Sequence, residues 1–246
     1  MTEPPPTHGA GKSERPPIPA RCASRPTIGG RVIPWINVRL ADGGVDFRAQ
    51  HRARVKLALS EDLCQVCSEP LTSPLVLLGG PESLRKLLFD EPPLHPECAV
   101  YTSHACPVVN GTATTLPTGP QLSHGKRGQT CYVKGCECGG WVPNDDGRKH
   151  TTEPHPWFAV YATGFQIAVS PQGQLLGALL RPDQVRKVRL VSRPGEGRSW
   201  TTLADALADY EPPDATSWDR RNYAGSRTAS PGTGFVPIQT ELRRHR

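Results

Sequence analysis

The chain has 246 residues, 36% of them hydrophobic, with only five each of Phe, Tyr and Trp, so its core is modest for its length. Pro and Gly together number 51, and the net charge of +6 raises the question of a nucleic-acid partner. The charge lies in the wrong place for a folded phosphate-binding groove. Residues 1–27 hold four Lys/Arg against two Asp/Glu, residues 212–246 six against three, and the middle nineteen against eighteen. No apolar run approaches the ~20 residues that span a bilayer, and the Pro-rich start lacks the apolar core of a secretory signal. A cytoplasmic chain without a membrane span is expected, in which eight Cys serve as metal ligands rather than disulfides.

In chain order, residues 1–27 carry too little apolar surface to offset chain entropy and are expected to be a disordered arm, leaving Cys22 without a partner. V-I-P-W-I-N-V-R-L (32–40) reads as an edge strand, and A-D-G-G (41–44) as a turn. Residues 47–63 have helical spacing, with Phe47, His51, Val55 and Leu59 on one face and Arg52, Arg54 and Lys56 on a basic flank. After C-Q-V-C (64–67) come a strand at 74–78, a helix at 82–89 and a helix opening at His95–Pro96. Residues 107–130 read as a long loop. From 157 the period changes to two. Segments 157–163, 165–170, 174–180 and 188–192 read as strands, with R-P-D-Q-V-R-K as a brief helical crossover. Residues 201–210 close with a helix whose inward face carries Leu203, Leu207 and Tyr210. The tail from Pro212 is expected to be disordered, with Trp218, Tyr223 and Phe235 available for local docking.

The chemistry lies in the cysteines. C-x-x-C places two sulfurs on a tight turn, and H-x-x-C at a helix start places two donors on one face. Cys64, Cys67, His95 and Cys98 thus form a Cys₃His set suited to tetrahedral zinc, with 27 residues between the pairs to hold a strand and a helix. Ser68 follows the second Cys where Gly is common, so a less tight turn is expected there. A filled four-ligand site leaves no seat for water and is structural. Between Cys67 and His95 there is no His or Asn, which argues against a His-Asn-His nuclease. A second set, Cys106, Cys131, Cys136 and Cys138, offers four thiolates for a second ion, with His104, His124, His150 and His155 as competing ligands. An iron–sulfur cluster would accept the same four thiolates. If only three bind, the open seat suits a metal-dependent hydrolase. N-D-D-G-R-K-H (144–150) reads as a solvated turn.

R-P-T-I-G-G-R-V-I-P (25–34), L-C-Q-V-C (63–67), P-P-L-H-P-E-C-A-V-Y (92–101), A-C-P (105–107) and C-E-C-G-G-W (136–141) are similar to stretches of a group of uncharacterised actinobacterial proteins. The likeness covers about residues 20–193. It implies no activity, and the automatic "cell envelope biogenesis" label of some members finds no export signal, barrel pattern or peptidoglycan-binding stretch here. The knuckle–strand–helix order resembles the treble-clef class of zinc folds.

The expected architecture is α+β: a treble-clef-like zinc module (28–142), a small antiparallel sheet with a short helix (143–211), and disordered tails (1–27 and 212–246). The expected role is a zinc-bound binding or adaptor protein, more consistent with a non-enzyme than an enzyme. Its protein partner is unspecified; the strands around Trp157, Phe158 and Phe165 offer an apolar contact surface, although core packing is the stronger expectation for those side chains. The alternatives are nucleic-acid binding, through the basic tails and the helix around Arg52 and Arg54, and a hydrolase at the second cluster.

Overall fold

The computed structural model describes residues 16–113, 131–140, 155–192 and 197–209. Expectations for the C-terminal tail, residues 144–150, most of the 107–130 loop and Tyr210 lie outside these residues. In chain order the elements are β1 (Thr27–Ile28), β2 (Arg31–Val32), β3 (Asn37–Arg39), β4 (Val45–Gln50), α1 (Arg52–Ser60), β5 (Leu75–Gly79), α2 (Pro81–Lys86), β6 (Leu88–Phe89) and α3 (Pro96–Ala105). They continue with β7 (Phe158–Ala162), β8 (Gln166–Val169), β9 (Leu175–Leu179), β10 (Val185–Leu190), β11 (Ser199–Trp200) and α4 (Leu203–Asp209). The fold is mixed α and β, and every strand pair is antiparallel. Among the described residues no helix is long and apolar enough to cross a membrane.

The late strands do not form a sheet of their own. β7 lies between β5 and β10 in a four-stranded sheet of order β11-β10-β7-β5, and β9 lies between β6 and β8 in a three-stranded one. Strands from both sides of the expected boundary at 142 therefore share both sheets. β5 explains how. All five of its residues are buried, the pattern of a strand covered on both faces. Leu75 and Leu77 enter one core with Phe158, Val160, Val188 and Leu190. Val76 and Leu78, one residue out of phase, enter a second core with Cys64, Cys67, Cys98, Leu94 and Ala159. The central sheet is thus a wall between an ordinary apolar core and one built partly of cysteine.

Some expected elements shift. Phe47–Gln50 belong to β4, not to the helix, which starts at Arg52 with His51 as its N-cap. Phe47 is exposed, and only Val55 and Leu59 of the predicted face reach the core. α2 stops at Lys86 because Leu87 turns left-handed (φ 52°), releasing Leu88–Phe89 into β6. In α4 the buried residue is Ala206, with Leu203 packed beside it, whereas Leu207 is exposed. Trp157 and Phe165 are packed against the cores and Phe158 is fully buried, so these side chains are core rather than contact surface.

Gly177 in β9 shows how closely the two β6–β9 backbones approach. Its φ is +136°, and a Cβ there would stand 2.0 Å from the Phe89 carbonyl oxygen, a backbone atom that cannot rotate away. Gly177→Ala is therefore expected to destabilise the fold by about 3 kcal/mol, read as a lowered midpoint in urea unfolding. A midpoint within error of the parent would contradict this packing.

Candidate metal centres

The first centre is assembled where three chain segments meet. Leu63 and Pro70 form an antiparallel bridge that closes the C-Q-V-C turn. Within the turn, the Cys64 N–H donates to Glu69 O at 2.9 Å and the Ser68 N–H to Cys64 O at 2.9 Å. Ser68 sits at φ 68°. It takes up the tight left-handed turn that its non-Gly identity argued against, and its hydroxyl donates to the Cys67 carbonyl. The second segment is registered by the Val76–Leu94 bridge, which lays residue 94 against β5 and delivers His95 as the N-cap of α3. Pro96 at the first helical position and Glu97 in the first turn suit that start, and Cys98 follows one turn in from His95.

The ligand atoms of Cys64, Cys67, His95 and Cys98 all lie within 4.8 Å of one another, and all four residues are buried. A tetrahedral zinc with Zn–S near 2.3 Å and Zn–N near 2.0 Å needs sulfur–nitrogen edges of about 3.5 Å. The Cys67 Sγ to His95 Nδ1 distance is 3.4 Å. On the far side of the ring, Nε2 lies 2.9 Å from the Pro70 carbonyl. A carbonyl only accepts, so Nε2 carries a proton, and in the neutral ring the Nδ1 lone pair then faces the sulfurs. That is the tautomer a metal requires.

The electrostatics agree. The Cys64 thiol is lowered to about 3, first because the Cys67 and Cys98 thiols donate to it, and further by the Cys67 and His95 backbone amides. Cys98 moves the opposite way, raised by its contacts with Cys22, Cys64 and Cys67 and by burial. One thiolate is welcome here, but further negative charge requires a cation.

Cys22 packs against this cluster. Residues 16–27 are structured where composition predicts disorder. Cys22 ends a short 3₁₀ turn (Ala20–Cys22), is fully buried, and holds its Sγ 3.8 Å from that of Cys98. Only its residue type, a cysteine, signalled this. No local spacing did.

The second set gathers in part. Cys131, Cys136 and Cys138 lie within 4.8 Å of one another, and no fourth Cys, His, Asp or Glu joins them among the described residues. Cys106 is elsewhere. It caps the C-terminus of α3 and packs on the core of the first centre. Eight residues of helix carry it about 12 Å along the axis from Cys98. Burial raises its thiol, against hydrogen bonds from the Val109 and Val108 amides. His104 Nδ1 lies 2.8 Å from the Val100 carbonyl and His155 stacks on Trp157, so neither joins the trio, while His124 and His150 lie outside the described residues.

The trio sits on a turn tied to the body by the residue between two of its ligands. The Glu137 N–H donates to Arg39 O, its carboxylate accepts from the Arg39 N–H at 3.0 Å, and it pairs with Arg54. Arg54 also donates to the Trp35 and Asn37 carbonyls, so it is a brace rather than a groove-reading arginine. Two residues past Cys138, Gly140 lies under the His51 ring, where a Cβ would meet Nε2 at 2.3 Å. Burial opposes ionisation of Cys136, but the Cys138 amide, the Cys138 and Cys131 thiols and the Ala41 amide outweigh it and lower its pKa. Cys138 is pushed up to about 12 by burial and its two thiol neighbours. One negative charge is again favoured over several.

No family model, curated protein or solved structure matches the chain. The functional reading therefore rests on the geometry above.

Two expectations follow. Ser68→Gly relieves a left-handed L-residue beside the ligands and should stabilise the protein by about 1 kcal/mol, measured by urea unfolding with metal bound. Glu91, in the loop before His95, has its carboxyl raised by burial and by Asp90, although the Gln65 and Gln50 side chains donate to it. A carboxyl raised in the fold is most favourable when protonated, so its contribution is present below the unfolded pKa and is lost as pH rises through the folded one. Glu91→Gln should accordingly be more stable than the parent at pH 7, with the difference shrinking as pH falls toward 4. Equal stabilities across that range would refute the burial of this carboxyl.

Proposed function

We propose that the chain is a zinc-stabilised binding protein of the cytoplasm, with a treble-clef-like first centre and a structural ion, acting through a protein partner. The observation that supports this reading is the first centre, where two sulfurs on a turn and a nitrogen and sulfur at a helix start lie within 4.8 Å of one another inside the core, a set of four donors that suits one tetrahedral ion. Such a site leaves no position for substrate. Zinc fits a mixed sulfur–nitrogen set better than the hard cations, which take oxygen. The residues that carry the resemblance to the actinobacterial group, C-Q-V-C and H-P-E-C-A, are the same ligands, and that resemblance assigns no activity.

A second reading, a metal-dependent hydrolase, draws on the three-sulfur set Cys131, Cys136 and Cys138, whose fourth seat the described residues leave open. Three thiolates place so much negative charge on a divalent ion that bound water ionises poorly, which favours a structural role here too. Nucleic-acid binding loses its best helical residue, because Arg54 is occupied internally.

Elemental analysis and metal-edge absorption on protein purified without added metal test the proposal. Zinc in a shell of sulfur and nitrogen is expected, and chelation should unfold the protein. Oxygen in the shell would turn the assignment toward the hydrolase. DNA retention that falls steeply with salt would restore the nucleic-acid reading.

A further inference from the structure

We propose that Cys22 is a reserve donor of the first centre: it lies beside Cys98, outside the four residues whose ligand atoms are all within 4.8 Å of one another, and takes the fourth seat when His95 is lost. This rests on the first centre being a metal site. A tetrahedral ion with 2.3 Å bonds to sulfur sets sulfur–sulfur edges of about 3.8 Å. Cys22 and Cys98 stand at that separation, 3.8 Å, with both residues 0% exposed.

The segment carrying Cys22 is fastened to the two elements that the ion itself joins. Arg21 Nη1 reaches Glu69 Oε2 at 2.6 Å, just past the cysteine turn, while its Nε reaches Glu97 Oε1 at 2.5 Å, next to Cys98 on α3. Further along, the Val32 N–H donates to the Tyr101 hydroxyl at 2.9 Å, one turn beyond Cys98. The arm is thus clamped on either side of Cys22, which fixes the sulfur against the cluster rather than leaving it to find the cluster by chance.

Four seats and five donors imply a reserve. His95 has the better claim at rest, because its Nδ1 lone pair is already turned inward by the Pro70 bond and its ligand atom is within 4.8 Å of all three partners. The Cys22 thiol then donates to the bound Cys98 sulfur, and it enters the shell when the imidazole is lost.

Cadmium-113 resonance on the cadmium-loaded full chain reads this directly, since each centre gives its own line and a four-sulfur shell lies downfield of a three-sulfur, one-nitrogen shell. Cys22→Ser should keep the sulfur–nitrogen line. His95→Ala should keep a line for this centre, moved downfield, and the double variant should lose it. His95→Leu, which preserves volume, repeats the comparison if the alanine variant does not fold. Loss of the line in both His95 single variants, by unfolding or by loss of metal, would overturn the proposal while leaving the centre itself intact. Absence of a line for this centre in the parent would instead overturn the metal site.

Discussion

A cluster of buried sulfurs cannot hold its own charge, and much of this structure follows from that constraint. Around Cys98 the first thiolate is stabilised by neighbouring S–H and N–H donors, while the next is opposed by the charge already present. A divalent ion reverses the sign of the problem, turning three mutually repelling groups into three ligands. What remains is one net negative charge, facing the Cys67 and His95 amides that already point at Cys64. Apparent free energies of order 10 kcal/mol for structural zinc are comparable to the whole stability of a small domain. With such an ion bound, the core beneath β5 could be cysteine-rich and short of large apolar side chains without being weak.

The position of that core would give an ion bound there wide mechanical reach. β5 faces the cysteines with Val76 and Leu78 and the apolar core with Leu75 and Leu77, and β7 repeats the alternation beside it. Side chains on opposite faces of one strand share a backbone, so a shift that follows loss of metal displaces both cores together. Cooperative unfolding across the sheet is the natural consequence of this arrangement.

How much of this was legible in the sequence depends on the range over which each signal acts. The C-x-x-C and H-x-x-C spacings are local, and they point to the four side chains that the structure gathers because a turn and a helix start fix donor positions within a few residues. The β7 to β10 strands were legible for the same reason, since alternation is a nearest-neighbour pattern. Their pairing with β5 and β6 was not, because nothing local in F-A-V-Y-A names a partner some eighty residues upstream. Phe47 misled by coincidence of spacing, its residue lying in β4 while Val55 and Leu59 keep the helical face. Cys22 was hidden by composition. A Pro-rich arm with little apolar surface reads as disordered unless something outside it supplies anchors, and here Arg21, Cys22 and the Tyr101 hydroxyl do. Cys106 failed in the opposite sense, since counting thiols groups it with the trio and a helix carries it elsewhere.

The two centres use the same ligand chemistry for different structural ends. At the first, sulfur replaces hydrocarbon in the interior, and every ligand is buried. At the second, Cys131 and Cys136 are only partly covered and Tyr132 between them is 95% exposed, so there is no core to replace. An ion there would organise a surface turn, and the turn's attachment is polar: Glu137, between Cys136 and Cys138, takes the Arg39 amide and the Arg54 guanidinium. Because β3 supplies Arg39 and α1 supplies Arg54, the turn registers the strand against the helix. That explains why a glutamate stands between Cys136 and Cys138. The two sulfurs turn toward Cys131, where an ion would sit, and the residue between them reaches back to the body of the protein.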